Sequence, residues 1–202
     1  MSNTRENTTG ERQKIKNPAI LFVNFLMASI VILFIGLAYG YIFTMGSNWI
    51  EFRLPKIFWL STVCIILVSL FLRKTLKYYD NDQPANLKRV IVAALFFAVL
   101  FVYCQILGWA KLIDQGIILE TSPSGTYLYI LTGLHVVHVL VGIIFLIVAV
   151  VRAYLNTTNE ISSLLFFSDP VKRTRLKLLN TYWHTIDFLW LFLFLTFLFQ
   201  HA

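Results

Sequence analysis

Apolar and polar positions alternate along this chain in long blocks rather than residue by residue. Five uninterrupted apolar stretches, Pro18–Met45, Ile57–Leu72, Val90–Ala110, Tyr127–Val151 and Leu178–Gln200, are separated by connections that hold most of the charge. A helix that crosses a bilayer needs about 20 such residues, and hydrocarbon leaves its backbone groups no partner outside the helix itself. The pattern therefore predicts an all-α polytopic membrane protein with five transmembrane helices. It divides into a flexible tail over residues 1–17 and a five-helix domain over 18–202. The first stretch is too long for the apolar part of a signal peptide, and no small-x-small cleavage site follows it. It is expected to remain in the mature protein.

Composition supports this reading. Of 202 residues, 58% are hydrophobic and 13% are charged, whereas a soluble domain carries about a quarter charged residues. The net charge of +7 would suggest a nucleic-acid partner in a soluble protein. Here the basic residues lie between the spans, so their meaning is topological and no nucleic acid is expected. The tail and the second and fourth connections together hold fourteen Lys and Arg, against three on the alternate side. By the positive-inside rule the N-terminus is cytoplasmic and the C-terminus lies on the opposite side. Cys64 and Cys104 fall inside apolar runs, where a free thiol packs as a small hydrophobe. No disulfide is expected, and the Asn-Thr-Thr triplets at Asn7 and Asn156 fall on the inner side, where neither is glycosylated.

Polar residues inside the spans then become the informative ones. Tyr39 and Tyr41 suit the outer boundary of the first span, and Leu54-Pro55 closes a tight hairpin into the second. Ser61, Thr62 and Ser69 read as helix-packing contacts. Asp80–Asn86 is a polar break on the inner side. Gln105, near the outer end of the third span, needs a partner in hydrocarbon and is read as a tether to a neighbouring helix. The longest connection, Arg152–Lys177, is basic and is read as a solvated loop within reach of anionic lipid heads.

Two stretches carry the chemistry. In Leu131–Gly142 the histidines His135 and His138 are three residues apart and so share one helix face, which must look at protein. The run Tyr182-Trp183-His184-Thr185-Ile186-Asp187 adds a third histidine and the only carboxylate placed inside the membrane. Four functions can be weighed against these residues: proton conduction, haem binding, metal binding and packing within a larger complex. A pump needs several ionisable groups in its helices, and Asp187 is the single acidic one. Bis-histidine haem needs facing histidines with room between them, yet these spans are lined with Phe, Leu and Trp. A three-apart pair of histidines is not diagnostic of a metal. Counting along straight helices, His138 lies about 20 Å and Asp187 about 14 Å from the inner ends of their spans. A His138–Asp187 contact is thus within reach, and a His135–His184 contact is less so.

The chain resembles subunit III of the haem-copper oxidases, the cytochrome c oxidase subunit 3 family, in its five-helix bacterial form. The resemblance rests on Thr132-Gly133-Leu134-His135 with His138-Val139 and Gly142. It rests also on Tyr182-Trp183-His184 with Asp187, Trp190, Leu191 and Phe192, on Phe58-Trp59-Leu60-Ser61-Thr62, and on Gln105 with Trp109. It covers the chain from about Ala19 onward. It implies a subunit without catalytic, cofactor-binding or metal-binding residues, with haem and copper held by partner subunits I and II. It implies phospholipid bound in a cleft beside the first helices, and support for proton uptake and turnover by subunit I. Cytochrome c is met only indirectly, and the location is the bacterial cytoplasmic (inner) membrane.

Two departures limit what carries over. Many members place a membrane-buried glutamate after a serine in the first span; aligning that serine with Ser29 puts Ile30 there. Where an acidic residue often stands seven before the last-span histidine, this chain has Lys177. The expected role is then a non-catalytic subunit of a proton-translocating terminal oxidase. His135, His138, His184, Asp187 and Gln105 are expected to form its internal polar network. The alternatives are subunit III of a quinol oxidase, the related accessory protein of nitric oxide reductases, or, from another class, a small haem-binding membrane cytochrome.

Overall fold

A computed structural model describes residues 18–44, 54–118 and 123–200. The tail expected over 1–17, most of the first connection and part of the third lie outside the described residues. Among the described residues six helices follow one another: α1 Pro18–Phe43, α2 Ile57–Asp80, α3 Pro84–Asp114, α4 Pro123–Asn156, α5 Glu160–Phe167 and α6 Pro170–Gln200. All but α5 are long and apolar enough to span a membrane, so the five-span expectation holds.

The spans run longer than their apolar cores. Helix α2 continues past Leu72 through Arg73, Lys74 and Lys77, and α6 begins seven residues before Lys177. Charged residues end the hydrophobic pattern but not the helix, because Lys and Arg are good helix formers with side chains that reach toward water. The break between α2 and α3 is correspondingly short. Asp82 takes a positive φ of 52°, a conformation open to Asp because its short polar side chain tolerates the left-handed region, and Pro84 starts α3 where a missing N–H costs nothing.

The connection expected as a loop between the fourth and fifth spans contains α5. Its Phe166 is buried against Tyr79 of α2, whose hydroxyl donates toward the carbonyls of Phe166 at 2.6 Å and Asp169 at 2.9 Å. Arg173 closes the same corner, its Nε and Nη2 donating to the two oxygens of Asp80 at 2.8 and 2.9 Å.

Around the bundle, α2 packs most extensively on α3, α3 on α4, and α6 sits between α1, α2 and α4. Helix α1 touches α4 and α6 through one stripe, Met27, Ile30, Phe34, Ala38 and Tyr41. Those positions recur at three- and four-residue intervals, the spacing of a single helix face. Its other side is apolar and exposed, as suits a helix whose solvent is lipid. Helix α6 is the most enclosed span. It brings Trp183, Ile186, Trp190, Leu193 and Phe197 into the centre of the core.

Candidate functional site

The two histidine-bearing stretches meet across the α4–α6 contact. Small residues allow the approach. Gly142 on α4 lies directly against Trp183 and Tyr182 of α6, and a side chain there would hold the helices apart. The Tyr182 hydroxyl donates to the backbone carbonyl of His138 at 2.8 Å, a bond between two spans in a setting where water does not compete.

His135 is fully buried and enclosed by rings. The Trp190 ring centroid lies 5.4 Å away, that of Phe101 on α3 5.8 Å and that of Phe34 on α1 6.3 Å. Neither ring nitrogen has a hydrogen-bond partner among the described residues. His138, one turn along, is half-buried. Its Nδ1–H donates to the carbonyl of Leu134 at 2.7 Å, and Phe34 packs edge-on to its ring at 5.7 Å. Phe34 therefore touches both histidines and brings α1 to the seam.

His184 and Asp187 turn the other way, toward α2. His184 Nδ1 is hydrogen-bonded to Ser69 Oγ at 2.7 Å and lies 3.8 Å from Asp187 Oδ2. Asp187 is 5% exposed, and neither carboxylate oxygen has a hydrogen-bond partner among the described residues. Asp187 and His184 are three apart on α6, so their proximity follows from the helix itself. The structure thus brings His184 and Asp187 together and leaves His135 and His138 in a separate, ring-lined group. The reachable His138–Asp187 hydrogen bond is not formed, because the two side chains leave their helices in different directions.

Gln105 belongs to a third cluster, at the α2–α3 contact. Its Nε2 donates to Ser61 Oγ at 3.3 Å while Oε1 has no partner among the described residues. One turn further along α3, Trp109 Nε1 donates to Thr132 Oγ1 at 3.1 Å, which ties α3 to α4. Trp190 Nε1 donates to Thr62 Oγ1 at 2.9 Å and ties α6 to α2. Thr62 and Ser61 also donate back to the Phe58 carbonyl at 2.8 and 2.9 Å. Their hydroxyls are thereby fixed as acceptors for Trp190 and Gln105.

Ser69 and Thr62, expected as helix-packing contacts, do join α2 to α6; the residues they meet there, His184 and Trp190, are not predicted by the spans alone. Both read as ordinary packing hydroxyls, and their spacing on α2 carries no signal of which α6 residue they face. Among the described residues no three His, Cys, Asp or Glu side chains gather as a metal site. The bonds that do form at Tyr182, Trp190, Trp109 and Ser69 each join two helices.

Comparison with known proteins gives this arrangement a family. The family model described as Cytochrome c oxidase subunit III matches residues 8–201. A cytochrome c oxidase subunit 3 of Corynebacterium diphtheriae is 26% identical over 117 residues, covering 58% of this chain and 52% of the relative. The subunit 3 of Drosophila melanogaster is 28% identical over 158 residues, 75% of this chain and 55% of the relative. A probable quinol oxidase subunit 3 of Staphylococcus saprophyticus is 23% identical over 144 residues, 71% of this chain and 66% of the relative. The chain aligns with about half the length, or less, of the first curated relatives it matches. With the family model spanning nearly all of the sequence, the chain belongs to the cytochrome c oxidase subunit III family.

Proposed function

We propose that this chain is an integral, cofactor-free subunit of a proton-translocating haem-copper terminal oxidase that passes electrons from cytochrome c to oxygen. In this reading haem and copper reside in subunits I and II, and cytochrome c docks elsewhere in the complex. The chain sits in a bacterial inner membrane with its N-terminus in the cytoplasm, as its loop charges favour. Phospholipid fills the flank of α1, whose outer side is apolar and exposed. The role is to hold subunit I in a form that assembles and keeps taking up protons through many turnovers.

The observation that carries the reading is the family match over residues 8–201. The seam supports it: Tyr182 to His138, Trp190 to Thr62, Trp109 to Thr132 and Ser69 to His184 each join two different spans. Such bonds, at about 0.6 to 2 kcal/mol each in a membrane, make a stiff scaffold. His135, His138, His184, Asp187 and Gln105 act in this scaffold rather than in catalysis.

A pull-down of the tagged chain from native membranes tests the reading. The expected result is a complex holding haem- and copper-bearing subunits that reduces oxygen. A lone chain with stoichiometric haem in its visible spectrum would overturn it in favour of a membrane cytochrome. In the intact complex, Asp187→Asn is expected to shorten sustained turnover; unchanged assembly and turnover would make the polar network incidental.

The similarity to a relative named probable quinol oxidase subunit 3 supports a second reading, in which the same scaffold serves a quinol-oxidising complex. Oxygen consumption by the isolated complex with reduced cytochrome c or with a quinol separates the two.

A further inference from the structure

Among the described residues Asp187 is the one carboxylate inside the apolar part of a span. Asp80 and Asp114 stand at helix ends, and Asp82, Glu160 and Asp169 lie in or beside the connections. Asp187 is 5% exposed, and neither of its oxygens accepts a hydrogen bond from a described residue. An anion placed there gives up its hydration without a bond in return. Two groups stand near enough to supply a compensating charge. Arg73 of α2 acts on Asp187 through space, but the ion pair described for Asp187 is with His184. His184 Nδ1 lies 3.8 Å from Oδ2, which is beyond hydrogen-bond reach, and the same nitrogen is 2.7 Å from Ser69 Oγ.

The Ser69 hydroxyl decides what that nitrogen does. Ser61, Thr62 and Thr75 of the same helix donate to the carbonyls of Phe58 and Leu72. The described hydrogen bonds give Ser69 no such carbonyl, so its hydrogen goes to Nδ1, and the network assigns the ring proton to Nε2. His184 is then neutral, and the buried carboxyl, with no cation in contact, keeps its own proton. Polar groups approach this site from one end. The pairs Ser69–His184 and Thr75–Asn180 show α2 and α6 running antiparallel, and Lys77 and Lys177 follow toward α5. In the other direction Trp190, Leu193, Phe194 and Phe197 are buried and apolar. Side chains tilt toward the N-terminus of their helix, which carries the His184 ring toward the α5 end, and 34% of that side chain is exposed. The other elements packed on α6 bring few titratable groups. Those of α4 are His135 and His138 in their ring-lined group, and that of the α1 stripe is Tyr41, which meets Phe197 ten residues beyond Asp187.

We propose that Ser69, His184 and Asp187 form a proton-binding site within the membrane, in which the proton is held on the Asp187 carboxyl and exchanges through His184 with the α5 end. On release, Ser69 swings its hydroxyl aside and the carboxyl proton moves to His184 Nδ1. The imidazolium so formed gives up the proton on Nε2. What remains is a carboxylate facing a neutral imidazole whose Nδ1–H points at it, one proton fewer in all; uptake is the reverse. With polar groups on one side only, the site binds a proton without conducting it across the bundle. The inference goes beyond the subunit reading and holds whichever complex the chain joins.

Infrared spectroscopy of the full chain in lipid nanodiscs tests this, because a neutral carboxylic acid has a C=O stretching band that an ionised carboxylate lacks. Exposed Asp and Glu ionise well below neutral pH, so at neutral pH an acid band from this chain reports Asp187. The expected result is such a band in the unaltered chain, shifted in D2O and lost in Asp187→Asn. No acid band at neutral pH, or one that survives Asp187→Asn, would overturn the proposal. The unaltered chain alone can give the first of these outcomes, so the test does not hang on how a variant folds. As a second arm, His184→Phe keeps a ring but no proton carrier. It is expected to retain the band and to slow its exchange in D2O about tenfold or more. Exchange as fast as in the unaltered chain would remove His184 as the route. None of these outcomes bears on whether the chain is an oxidase subunit, which the pull-down decides.

Discussion

A Cβ built on Gly142 of α4 would stand 2.9 Å from Cζ2 and 3.0 Å from Cε2 of Trp183 on α6, with Tyr182 Cε1 also at 3.0 Å. The indole is fully buried, so it can give way only by displacing its neighbours. Alanine normally improves a helix interior by about 1 kcal/mol over glycine, whereas overpacking a filled core costs about 1–3 kcal/mol. At this contact the second effect is the larger. Gly142→Ala is expected to lower the thermal unfolding temperature of the chain in lipid nanodiscs. Gly133→Ala, where nothing lies within 4 Å of the added carbon, should leave it level or raise it. Stabilisation by both alanines would mean that α4 and α6 separate freely.

The corner where α5 packs under α2 offers a comparison between a buried neutral bond and an exposed ionic one. Tyr79 is buried and its hydroxyl is directed at two carbonyls of the α5–α6 turn. Tyr79→Phe leaves those acceptors without their donor and is expected to cost about 1–3 kcal/mol. The Asp80–Arg173 pair is bidentate and short, but both side chains are exposed. Arg173→Ala is therefore expected to cost no more than about 1 kcal/mol, a cost that shrinks as salt is added. Amide exchange in α5 is the measurement: the phenylalanine variant should exchange faster throughout Glu160–Phe167, and the alanine variant should resemble the parent at high salt. The reverse order would show that the ion pair, not the tyrosine, holds α5.

How much of this was legible from sequence depends on what each feature needs. The five spans follow from one-dimensional hydropathy, which requires no knowledge of neighbours. The helix ends do not, because Arg73 to Asp80 and Pro170 to Lys177 are polar yet helical. Helix α5 hides in a basic connection, and only one of its eight residues, Phe166, is buried. The polar seam is harder still. Depth arithmetic could bring His138 near Asp187, but it says nothing of azimuth, and a rotation about the helix axis sends His138 to its own backbone and His184 to Ser69. The tie of Gln105 to a neighbouring helix needed only the rule that a buried amide finds a partner; naming Ser61 required the packed structure.

Ser69→Ala isolates the α2–α6 bond at His184. The hydroxyl is the only described hydrogen-bond partner of His184 Nδ1, and average side-chain hydrogen bonds in membranes contribute about 0.6 kcal/mol, rising to about 1.7 kcal/mol. A loss in that range is expected in the unfolding of the chain in nanodiscs. The double variant with His184→Leu should then cost little more than His184→Leu alone, because the two residues share one interaction. Strictly additive losses would place the contribution of Ser69 elsewhere than on His184.

His135 supports a prediction in the opposite direction. A buried histidine in the most characteristic stretch of the chain invites the expectation that removing it destabilises the fold. Yet both its ring nitrogens are buried without a partner among the described residues. A buried polar group left unsatisfied costs about 1–3 kcal/mol, and an apolar group of similar shape in its place can be stabilising. Against this stands the loss of ring contacts with Trp190, Phe101 and Phe34, about 0.5–1.5 kcal/mol for a favourable aromatic pair. The first effect counts twice, once for each unmet nitrogen, while leucine keeps part of the packing against the same three rings, so the first is taken as the larger. His135→Leu is therefore expected to raise the thermal stability of the chain in nanodiscs, by about 1 kcal/mol. A loss beyond about 2 kcal/mol would show that a ring nitrogen bonds to something after all. If the leucine variant is more stable and the assembled complex loses activity faster, the histidine is held at a cost in stability for the sake of the assembly. If both stability and activity improve, the ring serves neither.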